Sequence, residues 1–342
     1  MLTEKSRLVS AMKFEHTDRP PCICPGGMMN MVTREIMEKS GISWPDTHFY
    51  PELMAGLTKA VHDSQCFENY GVPFCMTVEA ESMGAKVDMG SVNYEPHVSG
   101  YAIDSVSQWE TLKKPDFNKG RIKVVLDAIK ILKGYNTNVP IIANLTGPVS
   151  IASSLLDPLV YYKEIRKNKE KAHELMDFIC SHLIEYGTMQ VEAGADVIAI
   201  SDPSGTGEIL GPKMFDEYTV KYINKVINGI KLNTKKAEFI VHICGQMKNV
   251  YPNLSALECN TISFDAIVNL KEAKRNLPNK AIMGNVSTFT LEFGTVSKTS
   301  EITKHCMNSG ACIIAPACGL GNNSPLANLQ AMLKTVKEEG NK

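Results

Sequence analysis

From residue 121 onward the chain alternates short apolar runs with longer amphipathic segments, and this alternation limits the possible folds more than any other feature. The apolar runs have the length of β-strands, and the segments between them have the length of helices. Strands that alternate with helices in this way predict parallel βαβ units. The predicted strands of this part cover residues 140–144, 197–200, 238–242, 261–264, 281–284 and 311–315.

Two further apolar runs, at residues 22–24 and 72–75, bring the predicted strands to eight. Eight such units indicate an α/β fold that closes into a (β/α)8 TIM barrel, and we expect residues 1–342 to form one barrel domain. Residues 44–120 contain scattered Gly and Pro, which predict an irregular excursion that decorates the barrel mouth. The predicted helices cover residues 3–13, 122–133, 158–193, 212–231, 270–276 and 300–308, a segment that ends near 257, and the chain from 324.

Charge and composition restrict the partners and the location of the protein. The formal net charge is −1, and there is no block of Lys and Arg, so we expect neither a nucleic-acid nor a membrane partner. No signal-peptide core and no apolar run of membrane-spanning length is present, which favours a cytoplasmic location. The ten cysteines are then expected to be reduced, either as core residues or as metal ligands.

A histidine and a cysteine lie two residues apart at the end of the run Phe-Ile-Val-His-Ile-Cys-Gly. In an extended strand, alternate side chains share a face, so His242 and Cys244 point the same way. Imidazole and thiolate together favour zinc, which needs at least one more protein ligand. Cys318, which follows another apolar run, is the best remaining candidate. Because buried cysteines are also common as small apolar residues, the spacing alone leaves both interpretations open.

Other polar residues follow the predicted strands. Asn144 and Thr146 come after the third strand, Asp202 after the fourth and Asp265 after the sixth. The chemistry of TIM barrels takes place at the carboxyl ends of the strands, so these residues are candidates for the site. Polar residues are also ordinary in any turn between a strand and a helix, and this explanation stays open.

Five segments along the chain carry a resemblance to a known family. They are Arg7-Leu8 with Asp18-Arg19-Pro20, the turn 144–148, residues 192–196 leading into Asp202-Pro203, His242-Ile243-Cys244-Gly245, and Ala315-Pro316-Ala317-Cys318-Gly319. These segments resemble the uroporphyrinogen decarboxylase superfamily, and within it the methylcobamide:coenzyme M methyltransferase branch. The decarboxylase itself has an arginine-rich stretch after its first strand, where this chain has Cys-Pro-Gly-Gly-Met-Met-Asn at residues 24–30. Porphyrinogen decarboxylation is therefore not expected.

The resemblance implies an activity and a zinc site. His242, Cys244 and Cys318 would hold Zn²⁺, and a methyl group would pass from methylcobalamin, or a related corrinoid, to the small thiol coenzyme M. We expect the corrinoid on a separate partner protein, because the chain offers no second domain for it. Asp265 is a candidate fourth ligand that a thiol could displace, or a residue that orients His242.

The remaining candidates have less specific roles. Asp202 is a candidate catalytic residue that could orient a ligand, or it could cap the loop 203–207. Asn144 and Thr146 are candidate cofactor-binding residues at the barrel mouth. Ser324 is predicted as the N-cap of the last helix, with Pro325 in its first turn, and a helix N-terminus there could bind the sulfonate of coenzyme M.

Three alternatives to this function are kept. Tetrahydrofolate could replace the thiol as the methyl acceptor. A cofactor-free decarboxylase could use the same fold. A purely structural zinc protein would need a fourth cysteine or histidine ligand, and the sequence offers no obvious candidate.

Overall fold

A ring of parallel strands forms the centre of the protein in the computed structural model, which describes residues 2–234 and 236–340. Six strands are hydrogen-bonded side by side in the order β1, β4, β5, β6, β7, β8, and β2 pairs with β3 in a separate antiparallel hairpin. The strands are β1 Tyr70–Val72, β2 Lys86–Asp88, β3 His97–Gly100, β4 Ile141–Thr146, β5 Val197–Ser201, β6 Glu238–Ile243, β7 Thr261–Phe264 and β8 Ala281–Met283.

Two shorter extended segments close the ring. Residue Ile313 bridges to β8 at Met283, and Ile314 bridges to Cys22, both in parallel. On the other side, the Glu68 N–H donates to the Cys22 carbonyl at 2.8 Å, just before β1 begins. The barrel therefore has eight strand positions, and the predicted α/β fold with a (β/α)8 barrel is confirmed.

Helices surround the ring. None of the helices in the described part of the chain is both long and apolar enough to cross a bilayer. Short 3₁₀ turns occupy Asp46–His48, Val106–Thr111, Pro203–Gly205 and Lys248–Val250, and a π-helical turn covers Phe215–Val220. The α-helices are α1 Glu4–Met12, α2 Arg34–Ser40, α3 Pro51–Asp63, α4 Val78–Ser82, α5 Gly120–Lys133, α6 Pro148–Leu155, α7 Pro158–Lys167, α8 Lys169–Ala193, α9 Gly207–Met214, α10 Lys221–Thr234, α11 Tyr251–Ser255, α12 Leu270–Asn276, α13 Thr288–Phe293, α14 Val296–Asn308 and α15 Leu326–Gly340.

The strands of the barrel are buried on both faces. Every residue of β4, β5 and β7 is buried, because helices cover the outside of the ring and side chains fill the inside. This explains why these strands appear in the sequence as continuous apolar runs rather than as alternating patterns.

Several predicted boundaries are wrong, each for a local reason. The strand predicted at 72–75 lies at Tyr70–Val72, because Pro73 has no N–H to donate to the sheet. The helix predicted at 158–193 is divided at Asn168 into α7 and α8. The helix predicted from 212 begins at Gly207 as α9, where the Thr206 side chain accepts the Glu208 N–H.

Among the described residues, five helices were not predicted, namely α2, α3, α4, α6 and α13. Helix α3 lies in the region expected to be irregular, and its buried residues Met54, Leu57 and Val61 pack it against the barrel. Helix α13 is only six residues long and begins where the Ser287 side chain accepts the Thr290 N–H. Its length is too short for an apolar period to be recognised in the sequence.

Candidate metal centre

Strand β6 positions two of the three predicted ligands. His242 lies within β6 and pairs in register with Ser201 of β5 and Ser263 of β7. Cys244 follows the last residue of β6, so both side chains leave the strand on the same side. Cys318 arrives from the segment that closes the barrel, two residues after the bridge between Val286 and Pro316.

These three side chains converge at the barrel mouth. His242 Nε2 lies 3.3 Å from Cys244 Sγ, and the two sulfur atoms of Cys244 and Cys318 are 3.9 Å apart. All three ligand atoms lie within 4.8 Å of one another. Across residues 2–234 and 236–340, no other set of three His, Cys, Asp or Glu side chains converges in this way.

The group is accessible from one side. His242 is buried, with 1% of its surface exposed, whereas both cysteines are partly exposed. Cys312 is partly exposed as well, but it packs against the hydrophobic core and is not part of the group. The two ligand thiols therefore face the mouth of the barrel while the imidazole forms the floor of the site.

The two thiols share a proton unequally. A hydrogen bond from Cys244 lowers the pKa of Cys318, and His242 lowers it further. The same hydrogen bond raises the pKa of Cys244, with burial adding to the effect. The pair therefore releases its first proton easily and retains its second. A thiolate beside an imidazole attracts a cation strongly.

Ser263 holds the histidine ring. Its Oγ lies 2.9 Å from His242 Nδ1. When this hydroxyl accepts a hydrogen bond from Nδ1, the lone pair of Nε2 is left free and points toward the cysteines. Asp265, one of whose two predicted roles was to orient this ring, makes its hydrogen bonds elsewhere, and Ser263 is the side chain that contacts Nδ1.

Asp265 instead supports the loop that follows β6. Its two carboxylate oxygens accept the N–H groups of Gly245 at 3.2 Å and Ile267 at 3.1 Å. Gly245 has a φ of +90°, and an added Cβ would overlap the Glu208 carboxylate, so only glycine fits this turn. Asp265 is not a member of the converging group, and its role as a displaceable fourth ligand stays a prediction.

Asp202 is held in a different environment. Its side chain is completely buried and accepts hydrogen bonds from the N–H of Ser150 at 2.8 Å, the hydroxyl of Ser150 at 2.7 Å and the N–H of Val149 at 3.2 Å. These groups belong to the first turn of α6, so Asp202, which directly follows β5, caps that helix. Burial nevertheless raises its pKa to about 6. These contacts give Asp202 a structural role, and its catalytic role stays a prediction.

Asn144 and Thr146 also bind protein groups. The Asn144 Nδ2 donates to the carbonyls of Pro25 at 2.8 Å and Val72 at 2.9 Å, which joins three barrel segments. Thr146 contacts Glu79, a residue of α4 that the sequence analysis did not identify. Both predicted cofactor-binding residues are buried, and each is hydrogen-bonded within the barrel.

Glu79 is a buried carboxyl group with an unusual set of partners. It accepts the Thr146 N–H at 2.8 Å, and its other oxygen lies 3.0 Å from Thr146 Oγ1. The same hydroxyl lies 3.1 Å from the Met76 carbonyl. A hydroxyl has one proton, so both contacts are satisfied together only when Glu79 is protonated and donates to Thr146. Burial raises the pKa of Glu79 to about 7.

The start of the last helix differs from the prediction. The helix begins at Leu326, and the buried hydroxyl of Ser324 has no hydrogen-bond partner, so Ser324 is not its N-cap. The Leu326 N–H donates instead to the Glu35 carboxylate at 2.8 Å. A carboxylate from α2 therefore occupies the helix N-terminus at which a sulfonate was predicted.

Comparison with known proteins gives one family and a consistent set of relatives. The family model for uroporphyrinogen decarboxylase (URO-D) matches residues 3–339. A methylcobamide:CoM methyltransferase, MtbA, of Methanosarcina acetivorans is 33% identical over 98% of both chains. A methylcobamide:CoM methyltransferase, MtaA, of Methanosarcina barkeri is 31% identical, again over 98% of both chains.

Solved structures agree with these sequence matches. A methyltransferase from Methanosarcina mazei superposes with a TM-score of 0.92 at 31% identity and covers 99% of both chains. A B12-independent methionine synthase from Shewanella superposes with a TM-score of 0.58 at 17% identity, which shows a shared fold alone.

Proposed function

The chain belongs to the uroporphyrinogen decarboxylase (URO-D) family, and we propose that it transfers a methyl group from a methylated corrinoid protein to a small thiol, with Zn²⁺ held by His242, Cys244 and Cys318. One observation carries this proposal: the three side chains converge at the mouth of a barrel whose end-to-end relatives are named methylcobamide:CoM methyltransferases. Relatives named uroporphyrinogen decarboxylase match less of the chain at lower identity, for example 27% over 85% of it.

The donor set fits zinc. Two thiols and an imidazole are preferred zinc ligands, and three protein ligands are typical of catalytic sites that keep a position for substrate. A closed structural site has four protein ligands, and within the described residues the converging group has three. The partial exposure of both cysteines also favours a site that admits a substrate.

Each residue then has a role in thiol activation. A zinc ion in this site would lower the pKa of a substrate thiol and so supply the thiolate that attacks the methyl group. Ser263 keeps the His242 ring oriented, and the Gly245 turn keeps Cys244 on the same side as the histidine. Two thiolates and a neutral imidazole offset the charge of a divalent ion, so the substrate sulfur retains its electron density.

Coenzyme M is the proposed acceptor, on the strength of the names of the relatives. A third relative, from Methanosarcina mazei, is named a methylated-thiol–coenzyme M methyltransferase and is 28% identical over 98% of this chain. The sulfonate position predicted at Ser324 gains no support, because Glu35 places a negative group at that helix N-terminus. The acceptor therefore has to be tested against thiols of other charge.

The test uses methylcobalamin and a set of acceptors. Purified protein is mixed with methylcobalamin and with coenzyme M, 2-mercaptoethanol, cysteamine or tetrahydrofolate, and demethylation of cobalt is followed by absorbance. We expect turnover with coenzyme M that is lost after zinc removal and restored by added zinc. Turnover with tetrahydrofolate alone would contradict the thiol acceptor, and no demethylation with any acceptor would contradict the proposed reaction.

Calorimetry gives an independent test of thiol activation. Binding of coenzyme M should release about one proton near neutral pH, because the thiol enters the site as the thiolate. The measured heat should then vary with the ionisation enthalpy of the buffer. A heat that does not depend on the buffer would show that the site does not activate the thiol.

A further inference from the structure

Five large apolar side chains along one side of the barrel mouth are exposed to solvent. Ile267 follows β7, Phe289 and Phe293 lie on α13, and Val92 and Tyr94 lie in the turn of the β2–β3 hairpin. Their exposed fractions range from 43% to 71%, and the two phenylalanine rings pack at 5.0 Å between centroids. We call these five residues the apolar rim. The two phenylalanine rings in contact form a contiguous exposed apolar patch, which is a common mark of an interaction surface.

Contacts between neighbouring segments make part of the rim continuous. The Glu292 carboxylate of α13 packs against Gly321 so closely that an added Cβ would overlap it. The Asn322 side chain donates to the carbonyl of Val92 at 2.8 Å. The loop that follows Cys318 therefore joins α13 on one side to the hairpin turn on the other.

The other end of the rim is attached to the loop that contains Cys244. The Ile267 N–H donates to the Asp265 carboxylate, and the Gln246 side chain donates to the Ile267 carbonyl at 3.2 Å. Gln246 lies two residues after Cys244. The rim thus adjoins the loops of both ligand cysteines and flanks the opening of the site.

We propose that the apolar rim is the docking surface for the methylated corrinoid protein, an inference that rests on the proposed function. A methyl transfer requires the reacting atoms to approach to about 3–3.5 Å. The corrinoid is held by the partner, so the partner has to cover the mouth and contact whatever flanks it. Aromatic side chains are enriched at such contacts, and a covering apolar surface also excludes water from the site.

The location of the rim selects this partner. A second copy of the chain would cover the mouth without supplying a methyl donor, whereas a corrinoid protein needs this opening to react. Exposure alone does not mark the surface, since Leu232 is 81% exposed at the end of α10, just before β6 begins. That residue lies at the opposite end of the barrel from the mouth and provides a matched control.

The experiment compares a protein-bound donor with a free donor. The double variant Phe289→Ser/Phe293→Ser and the control Leu232→Ser are assayed with the organism's own methylated corrinoid protein and, separately, with free methylcobalamin. We expect the double variant to lose about tenfold or more in kcat/KM with the corrinoid protein, the size of effect that removal of interface anchors gives. Its turnover of free methylcobalamin should stay within about twofold of wild type.

The outcomes separate this proposal from the proposed function. If wild type fails to demethylate free methylcobalamin, the proposed function fails, and this inference fails with it. The rim is not the docking surface if wild type is active but the kcat/KM of the double variant falls equally with both donors. It is also not the docking surface if Leu232→Ser lowers kcat/KM with the corrinoid protein as much as the double variant does. The same conclusion follows if sedimentation shows that the double variant converts a wild-type dimer into a monomer while its kcat/KM with the corrinoid protein is unchanged.

Discussion

His242, Cys244, Cys318 and Asp202 lie at the carboxyl ends of barrel strands, and Glu79, which lies on α4, contacts Thr146 at the end of β4. The thiols and the imidazole contact mainly one another, and both cysteines are partly exposed. The two carboxyl groups are buried, and their oxygens bind backbone N–H groups and hydroxyls of the protein itself. Location at the carboxyl end of the barrel is therefore common to both groups, and the difference between them is whether their hydrogen-bonding capacity is already used by the protein.

The comparison has a physical basis. A buried carboxyl group that accepts several hydrogen bonds has little capacity left for a ligand, and removing it leaves those donors without partners. Replacing one of the two partly exposed thiols should cost little folding energy but should remove a cation ligand. Mutations of His242, Cys244 or Cys318 should change metal content, whereas mutations of the buried carboxyl groups should change stability.

The largest expected effect is the loss of metal from cysteine variants. Wild type should contain about one zinc per chain, and Cys244→Ala and Cys318→Ala should each remove most of it, because two ligands hold zinc far more weakly than three. Elemental analysis of the purified proteins measures this. Cys312→Ala, which changes a partly exposed cysteine outside the group, should keep the wild-type content. Full zinc occupancy in both Cys244→Ala and Cys318→Ala would contradict the assignment of these residues as zinc ligands.

Asp202→Ala should lower stability and leave the metal in place. The change leaves the N–H groups of Val149 and Ser150 without partners in a buried position, and we expect a loss of about 2–4 kcal/mol in the free energy of unfolding. Gly147 allows the close approach of Asp202, since an added Cβ would overlap that side chain. Denaturant unfolding and zinc analysis are measured together. Loss of zinc with unchanged stability would instead support a role at the metal site.

The three proposed metal ligands could be predicted from the sequence, whereas the contacts that support them could not. Strand alternation over three residues predicts that His242 and Cys244 lie on one side and act as ligands. Cys318 is predicted as the third ligand because it follows a predicted strand. Ser263 could not be predicted, because a serine in a strand carries no signal for the ring that it contacts across the sheet. The cap formed by Asp202 on α6 and the contact between Glu35 and Leu326 join distant parts of the chain, so local patterns do not report them.

The fold likewise contains elements that local sequence patterns predict and elements that they miss. Regular strand and helix alternation gave β7 and α12 with their observed bounds, because local periodicity and burial agree there. Region 44–120 was predicted as irregular because of its scattered Gly and Pro, yet one of these residues, Pro51, is in the first turn of α3, where proline is well tolerated. Glu79 was missed for the same reason, since it lies on a five-residue helix in that region.

Glu79→Gln should change how stability depends on pH. Burial raises the pKa of Glu79 to about 7 from an ordinary value of 4.5, so the folded protein binds this proton more tightly than the unfolded chain. The resulting stability is fully present below pH 4.5 and is lost as the pH rises through 7. The difference corresponds to on the order of 3 kcal/mol over this window. Glutamine preserves the hydrogen bonds without titrating.

The measurement is the free energy of unfolding at a series of pH values. Wild type should lose stability between about pH 5 and 8 relative to Glu79→Gln, and the two curves should converge at low pH. Zinc content should be the same in both proteins. Parallel curves across this range would show that Glu79 does not hold a proton in the folded state.

The smallest expected effect is that of Ser263→Ala. The serine hydroxyl fixes the His242 ring, so its loss should weaken zinc binding by about 10–100-fold, the usual cost of removing a group that orients a metal ligand. Competition with a chromophoric chelator measures the affinity. Ser150→Ala is the matched control, because Ser150 is a buried serine bonded to Asp202 rather than to His242. If Ser263→Ala and Ser150→Ala bind zinc with equal affinity, then Ser263 does not support the metal centre and has only a structural role.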